Sequence, residues 1–322
     1  MSMHYKPILL VAGEPNSVFL EIFFKSLKLK KYESPIILIA SKNILIKQMK
    51  KLKFNYNINV LDWKKPLNEK LNNEKINLIN IDYNSKKTFV KISHKTNQYI
   101  KKSFEIALRL IASGISNKLI NGPISKEHFL NKKFLGITEY LAHKTNAKNY
   151  AMLIYNKKLS VCPITTHLPI KLVSKNININ LIVNKIKLID SFYKKYLKIK
   201  PNIAVTGLNP HCESINKINE DTTIIKSSIN LLKNKNLRVS GPYPADTIFL
   251  KNNRNKFNVI VGMYHDQVLT PIKTLFEYDA INITLGLKFI RISPDHGPNQ
   301  KMMGKNLSNP LSLIRALEFL DN

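Results

Sequence analysis

NLIVNKIKLIDSFYKKYLKIKPNIAVTGLNPH, residues 180–211, sets two periodicities side by side. Ile182, Ile186, Ile189, Tyr193 and Leu197 recur at steps of three and four, the stripe of an amphipathic helix, with Asn180 placed to cap its start. Pro201–Thr206 follows as a short apolar run of strand type, and a polar turn then carries the chain to His211. An apolar run without alternation belongs to a strand covered on both faces, as in a parallel sheet flanked by helices.

The same alternation extends outward in both directions. Further candidate strands are Pro7–Ala12, Pro35–Ala40, Ile58–Asp62, Asn77–Ile81, Ala151–Tyr155, Ser160–Ile164, Asn258–Met263 and Ile281–Thr284. A second stripe, Ile100, Phe104, Ala107, Leu108 and Ile111, closes on Gly114 as a C-terminal cap. Near the end, Asn309 and Pro310 read as an N-cap and first helical residue ahead of Leu313, Ile314, Leu317 and Leu320. Alternating strands and helices predict an α/β fold with a mainly parallel sheet. The runs 151–155 and 160–164, joined by Asn-Lys-Lys, predict a partly antiparallel portion in the middle.

The formal charge of +30 over 322 residues invites a nucleic-acid reading. Only five of the 51 basic residues are arginine (109, 238, 254, 291 and 315), and the lysines are scattered among abundant Asn and Ile. Nucleic-acid surfaces gather arginine forks and aromatics on one face. Dispersed lysine fits solvated faces instead, so no nucleic-acid partner is expected, although a basic field favours an anionic small substrate. Cys162 and Cys212 are too few for a disulfide scaffold. No stretch reaches the roughly 18 apolar residues of a membrane span, so a cytoplasmic protein with no membrane partner is expected.

No glycine lies two residues from another, so the G-x-G-x-x-G dinucleotide fingerprint is absent. Three of the eight histidines share a setting: His167, His211 and His265 each follow an apolar strand in a turn-like phrase. Ligands of open α/β sheets bind beyond the carboxyl ends of the strands, and three imidazoles there suit zinc, and also cobalt, nickel or iron. Taken singly, each reads first as a capping or hydrogen-bonding turn residue. Asp246 reads as a proton acceptor or as an N-cap. Lys273, Asn282 and Arg291 stand nine residues apart across a turn, a strand and its end; Arg291 reads as an anion-binding fork or an exposed salt bridge.

The phrases NGPISK (121–126), TEYLA (138–142), TTHLP (165–169), GLNPH (207–211), GPYPADT (241–247), MYHDQ (263–267), NITLGL (282–287), FIR (289–291) and DHGP (295–298) resemble, in this order, the 4-hydroxythreonine-4-phosphate dehydrogenase family of vitamin B6 biosynthesis. The resemblance implies two α/β/α subdomains around a cleft, similar to isocitrate and isopropylmalate dehydrogenases, in a homodimer whose active site is shared across the interface. We expect residues 1–125 with 285–322 as the first subdomain and 126–284 as the second. The implied reaction is NAD-dependent oxidation of 4-phosphohydroxy-L-threonine to a β-keto acid, which decarboxylates to 3-amino-2-oxopropyl phosphate. NADP is left open beside NAD, and zinc, cobalt or magnesium as the metal.

The family's metal ligands fall on His167, His211 and His265, one of them supplied across the dimer. Substrate contacts fall on Thr138, Lys273, Asn282 and Arg291, catalytic roles on Asp246 and His211, and cofactor contacts on Asp295, His296, Gly297 and the stretch to Asn306. Three departures stand out. Ile137 replaces the family's His before Thr138, Asn16-Ser17-Val18-Phe19-Leu20 replaces a glycine-rich turn, and Cys212-Glu213-Ser214-Ile215-Asn216 replaces another. Cys212 is read as an alanine-like filler. Ile137 keeps alive a relative acting on a threonate or erythronate phosphate. An inactive structural relative is disfavoured by the intact histidines.

Overall fold

The structure, a computed structural model, describes residues 5–65, 71–130, 133–134, 136–213, 218–294 and 297–321. Its strands in chain order are β1 (Ile8–Val11), β2 (Ile36–Ala40), β3 (Ile58–Val60), β4 (Ile76–Asn80), β5 (Lys118–Asn121), β6 (Ala151–Tyr155), β7 (Ser160–Pro163), β8 (Ile203–Thr206), β9 (Val239–Tyr243), β10 (Val259–Gly262), β11 (Ile281–Leu285) and β12 (Ile290–Pro294). The chain forms two compact units, Met1–Tyr140 with Lys288–Asn322, and Leu141–Leu287. The division therefore falls at 140/141 and 287/288, where 125/126 and 284/285 were expected; the first lies inside the helix Ile137–Lys144, whose TEYLA phrase carries no break.

In the first unit the strands run in the order β3-β4-β2-β1-β5-β12, every neighbour parallel. All residues of β1 and β2 are buried. Successive strand side chains point to opposite faces, so total burial means that both faces are covered. Helix Asn97–Ala112 packs on β1 and β2, and Leu311–Leu320 packs on β5, β12 and the helix Phe19–Leu29. Each large aliphatic or phenyl side chain so buried contributes roughly 1.5–3 kcal/mol. Gly114, in left-handed geometry at φ 79°, follows the stripe-bearing helix as expected.

The second unit orders its strands β11-β6-β7-β10-β8-β9. β6 is antiparallel to both β11 and β7, which is the antiparallel portion expected around Asn-Lys-Lys. From β7 onward the neighbours are parallel. The opening helical stripe forms Ile179–Phe192 and continues through a wider turn, Tyr193–Leu197. Its cap is Asn178, whose side chain accepts from Leu181 N at 2.9 Å, and not Asn180, which lies one residue inside the helix. At the C-terminus the last helix begins at Leu311, one residue beyond the expected Pro310, and Asn309 Oδ1 accepts from Leu311 N at 2.9 Å. Among the described residues no helix is long and apolar enough to cross a membrane.

Candidate active site

In the first unit, β12 lies beside β5 with Arg291 opposite Leu119. That register brings the guanidinium to Asn121 at the carboxyl end of β5: Arg291 Nε donates to Asn121 Oδ1 at 2.7 Å, and Nη1 donates to Thr138 Oγ1 at 3.3 Å. Arg291 is 0% exposed, so the exposed-salt-bridge reading fails. Burial lowers its pKa to about 9 while the Glu139 carboxylate pulls the other way, so it remains a cation at neutral pH. The guanidinium is thus a fixed, buried cation bonded to Asn121 and Thr138, with the Glu139 carboxylate in electrostatic reach.

Beside it, the turn after β1 is drawn against the NGPISK phrase. Gly13 adopts φ 74°, and a Cβ there would stand 2.4 Å from Pro123 O. Glu14, 1% exposed, accepts from Asn16 N at 3.0 Å, Asn16 Nδ2 at 3.2 Å and Thr96 Oγ1 at 2.9 Å. Burial raises its pKa, and these donors together with His128 partly oppose the shift.

In the second unit, the adjacent strands β7, β10 and β8 run parallel, and His167, His265 and His211 follow their carboxyl ends. The rings of His167 and His265 stand 5.8 Å apart, within reach of a shared ion given metal–nitrogen bonds of about 2.0–2.1 Å. His265 Nδ1 lies 2.6 Å from Asp266 Oδ1. Donation to that carboxylate makes Nε2 the electron-pair donor, the usual arrangement behind a ligating histidine. His265 opens the helix His265–Phe276 and so is not the turn residue its phrase suggests.

His211 is exposed and holds φ 57°, after a turn fastened by Asp221. The Asp221 carboxylate accepts from Leu208 N at 2.7 Å, Asn209 N at 3.2 Å and Asn209 Nδ2 at 2.7 Å. Among the described residues no three His, Cys, Asp or Glu side chains form a group able to hold a metal. Two of the three expected ligands therefore come together in one chain and the third does not join them. The residues fit a metal as an incomplete set.

Asp246 is exposed in the first turn of Ala245–Ile248, whose cap is Pro244, so the N-cap reading of Asp246 fails. Burial first, then Asp221, Asp246 and Glu213, push the Cys212 thiol up, which puts Asp246 within electrostatic reach of His211's neighbour. Lys273 is exposed inside the helix His265–Phe276, where a turn was expected. Asn282 lies on β11 opposite Ile154, its Oδ1 buried without a hydrogen-bond partner among the described residues. Thr138 and Arg291 thus belong to the first unit, and Lys273 and Asn282 to the second.

Of the expected cofactor residues, Asp295 and His296 lie outside the described residues. Gly297 is exposed, and among the described residues a Cβ there would meet nothing within 4 Å. Asn306 is exposed at φ 57°. The stretch exposes Asn299, Gln300, Lys301, Lys305 and Asn306, polar groups that suit a polar dinucleotide. Sequence reasoning missed Asn121, Asp221 and Asp266 as the partners of Arg291, the His211 turn and His265. Asp266 was signalled by adjacency alone; Asp221 had no local signal.

Residues 31–320 match the family described as "Pyridoxal phosphate biosynthetic protein PdxA". The chain is 38% identical over 311 residues, 95% of its own length and 94% of the relative's, to a 4-hydroxythreonine-4-phosphate dehydrogenase of Sulfurihydrogenibium sp.. It is 37% identical over 201 residues to a D-threonate 4-phosphate dehydrogenase of Salmonella typhimurium, 62% of this chain and 60% of that protein. The crystal structure of 4-hydroxythreonine-4-phosphate dehydrogenase from Klebsiella pneumoniae superposes with a TM-score of 0.85 at 27% identity, covering 99% of this chain and 98% of that one.

Proposed function

Because the chain belongs to the PdxA family, and is an oxidoreductase of α/β fold, we propose that it oxidises 4-phosphohydroxy-L-threonine with NAD in pyridoxal 5′-phosphate biosynthesis. The product is a β-keto acid that loses its carboxylate to give 3-amino-2-oxopropyl phosphate. The observation that carries this reading is the buried Arg291, bonded to Asn121 and Thr138, at the position expected to hold an anion.

Arg291 and Lys273 hold the substrate's anionic groups, the phosphate above all, and so orient the carbon that gives up its hydride. Thr138 Oγ1, fixed by Arg291, offers a hydroxyl to the same anion. Asn282 Oδ1, buried without a hydrogen-bond partner among the described residues, gains one when the substrate brings a hydroxyl or ammonium donor. Asp246, within electrostatic reach of Cys212, takes the hydroxyl proton. Gly297 and Asn306 are the described residues that would hold NAD, which would supply the hydride acceptor, with NADP as the competitor to test. His167, His265 and His211, one of them from a second copy in a homodimer, would hold a divalent cation, which would supply Lewis-acid polarisation of a substrate oxygen. Zinc is the first choice of ion on ligand chemistry, with cobalt and magnesium next.

Ile137 favours one second reading, the oxidation of D-threonate 4-phosphate or a related phosphorylated acid, since it puts a methyl-rich side chain beside Thr138. The deciding experiment follows NADH formation by the purified protein with each substrate, with and without a chelator. Chelator-sensitive turnover of 4-phosphohydroxy-L-threonine supports the first reading. Turnover of D-threonate 4-phosphate alone supports the second, and neither activity in a folded, metal-loaded dimer overturns both.

A further inference from the structure

The helix Phe19–Leu29 carries a charged pair that its own packing does not require. Lys25 Nζ lies 3.0 Å from Glu21 Oε1, with side chains 19% and 2% exposed. Burying such a pair is weak evidence for stability, since apolar residues of similar volume stabilise a helix interface at least as well. The pair's remaining bonds do something apolar residues cannot. The other two donors of the Lys25 ammonium reach backbone carbonyls, Asn306 O at 2.9 Å and Ser308 O at 2.8 Å. Glu21 Oε1 also accepts from Ser308 N at 2.6 Å.

Three backbone groups of one short segment are thus fixed to a single turn of helix. Ser308 is buried by them, while Leu307 and Asn306 face solvent. The opposite end of the same stretch is tied to the start of that helix by Val18 N donating to Pro298 O at 3.2 Å. Asn306 holds φ 57°, a conformation asparagine tolerates but does not strongly prefer, so its carbonyl bond to Lys25 helps to decide which way its amide is presented.

We propose that the Glu21–Lys25 pair is a positioning element for dinucleotide binding: it sets the backbone of residues 306–308 and thereby presents Asn306 to the cofactor. This rests on the reading of Gly297 to Asn306 as the cofactor stretch. The pair touches no reacting atom, so its effect falls on affinity for the dinucleotide and not on the chemical step.

The test uses the full-length metal-loaded protein and its variants Lys25→Met, Lys25→Arg and Glu21→Gln. NAD binding is titrated by calorimetry, kcat and both KM values are measured, and hydrogen exchange is followed through residues 299–310. Lys25→Met is expected to weaken NAD binding and raise its KM about tenfold, the scale of losing one net hydrogen bond. Its kcat and substrate KM stay within about twofold of the parent, exchange at Ser308 accelerates, and Lys25→Arg restores most of the loss. Should Lys25→Met fail to fold, Glu21→Gln, which keeps an acceptor for Ser308 N, carries the same measurement with a smaller shift in the same direction. Unaltered NAD affinity with faster exchange at Ser308 overturns the positioning role and leaves the proposed activity standing. A parent protein that binds no NAD overturns the cofactor assignment itself, and this inference with it.

Discussion

Arg291 donates its Nε–H to Asn121 Oδ1 at 2.7 Å, and the bond joins two phrases 170 residues apart in the chain. Because Arg291 is fully buried, truncating Asn121 leaves a charged donor without that oxygen. Asn121→Ala should lower stability by about 1–3 kcal/mol in urea unfolding and raise KM for the phosphorylated substrate more than it lowers kcat. An unchanged urea midpoint together with an unchanged KM would mean that this bond orients nothing.

The buried Glu14 gives a pH dependence whose sign follows from its environment. Burial raises its folded pKa above the ordinary 4.5. Above that pH the unfolded chain ionises first and the folded chain holds the proton longer. Stability therefore falls as pH rises from 4.5 until the folded carboxyl has also ionised. Glu14→Gln keeps an acceptor for Asn16 and has no such dependence. The stability of the variant relative to the parent should increase between about pH 4 and pH 7; a constant difference would mean that Glu14 titrates as it does in the unfolded chain.

The alternation of apolar runs and helical stripes was enough to read the α/β class, because most strands here are buried on both faces and look alike. The strands it did not reveal each break that look for a physical reason. β12 (IRISP) carries Arg291 at its second position, and an isolated sequence gives no sign that a guanidinium will be bonded internally and buried. β9 (VSGPY) contains Gly-Pro, which reads as a turn. β5 (KLIN) has two apolar residues between a lysine and the asparagine that serves Arg291. The histidines were legible as strand-end residues, yet the meeting of His167 with His265 depends on β7 and β10 being neighbours. That adjacency comes from topology, which spacing along the chain does not encode.

Gly13 is the residue whose replacement tests how closely the first turn must approach the NGPISK phrase. At φ 74°, with Pro123 O only 2.4 Å from where a Cβ would stand, alanine is strained in its backbone and blocked by a carbonyl that cannot rotate away. Gly13→Ala should cost about 1–3 kcal/mol or more in urea unfolding. A variant as stable as the parent would show that the two turns can separate without loss.

Asp221 offers the sharpest test of how the His211 turn is held. Both its carboxylate oxygens are used, Oδ1 by Leu208 N at 2.7 Å and Oδ2 by Asn209 N and Asn209 Nδ2 at 3.2 and 2.7 Å. The carboxylate comes close to Gly207, where a Cβ would stand 2.7 Å from Oδ1, so the turn is shaped around the acid. Asp221→Asn is nearly isosteric but replaces one acceptor by a donor, which must face an N–H and lose its bond. The variant should lose about 1–3 kcal/mol of stability and, with His211 less firmly presented, bind the proposed divalent ion roughly tenfold more weakly. Stability loss with parental metal affinity would limit Asp221 to folding. Parental values of both would show that the turn keeps its shape without the acid.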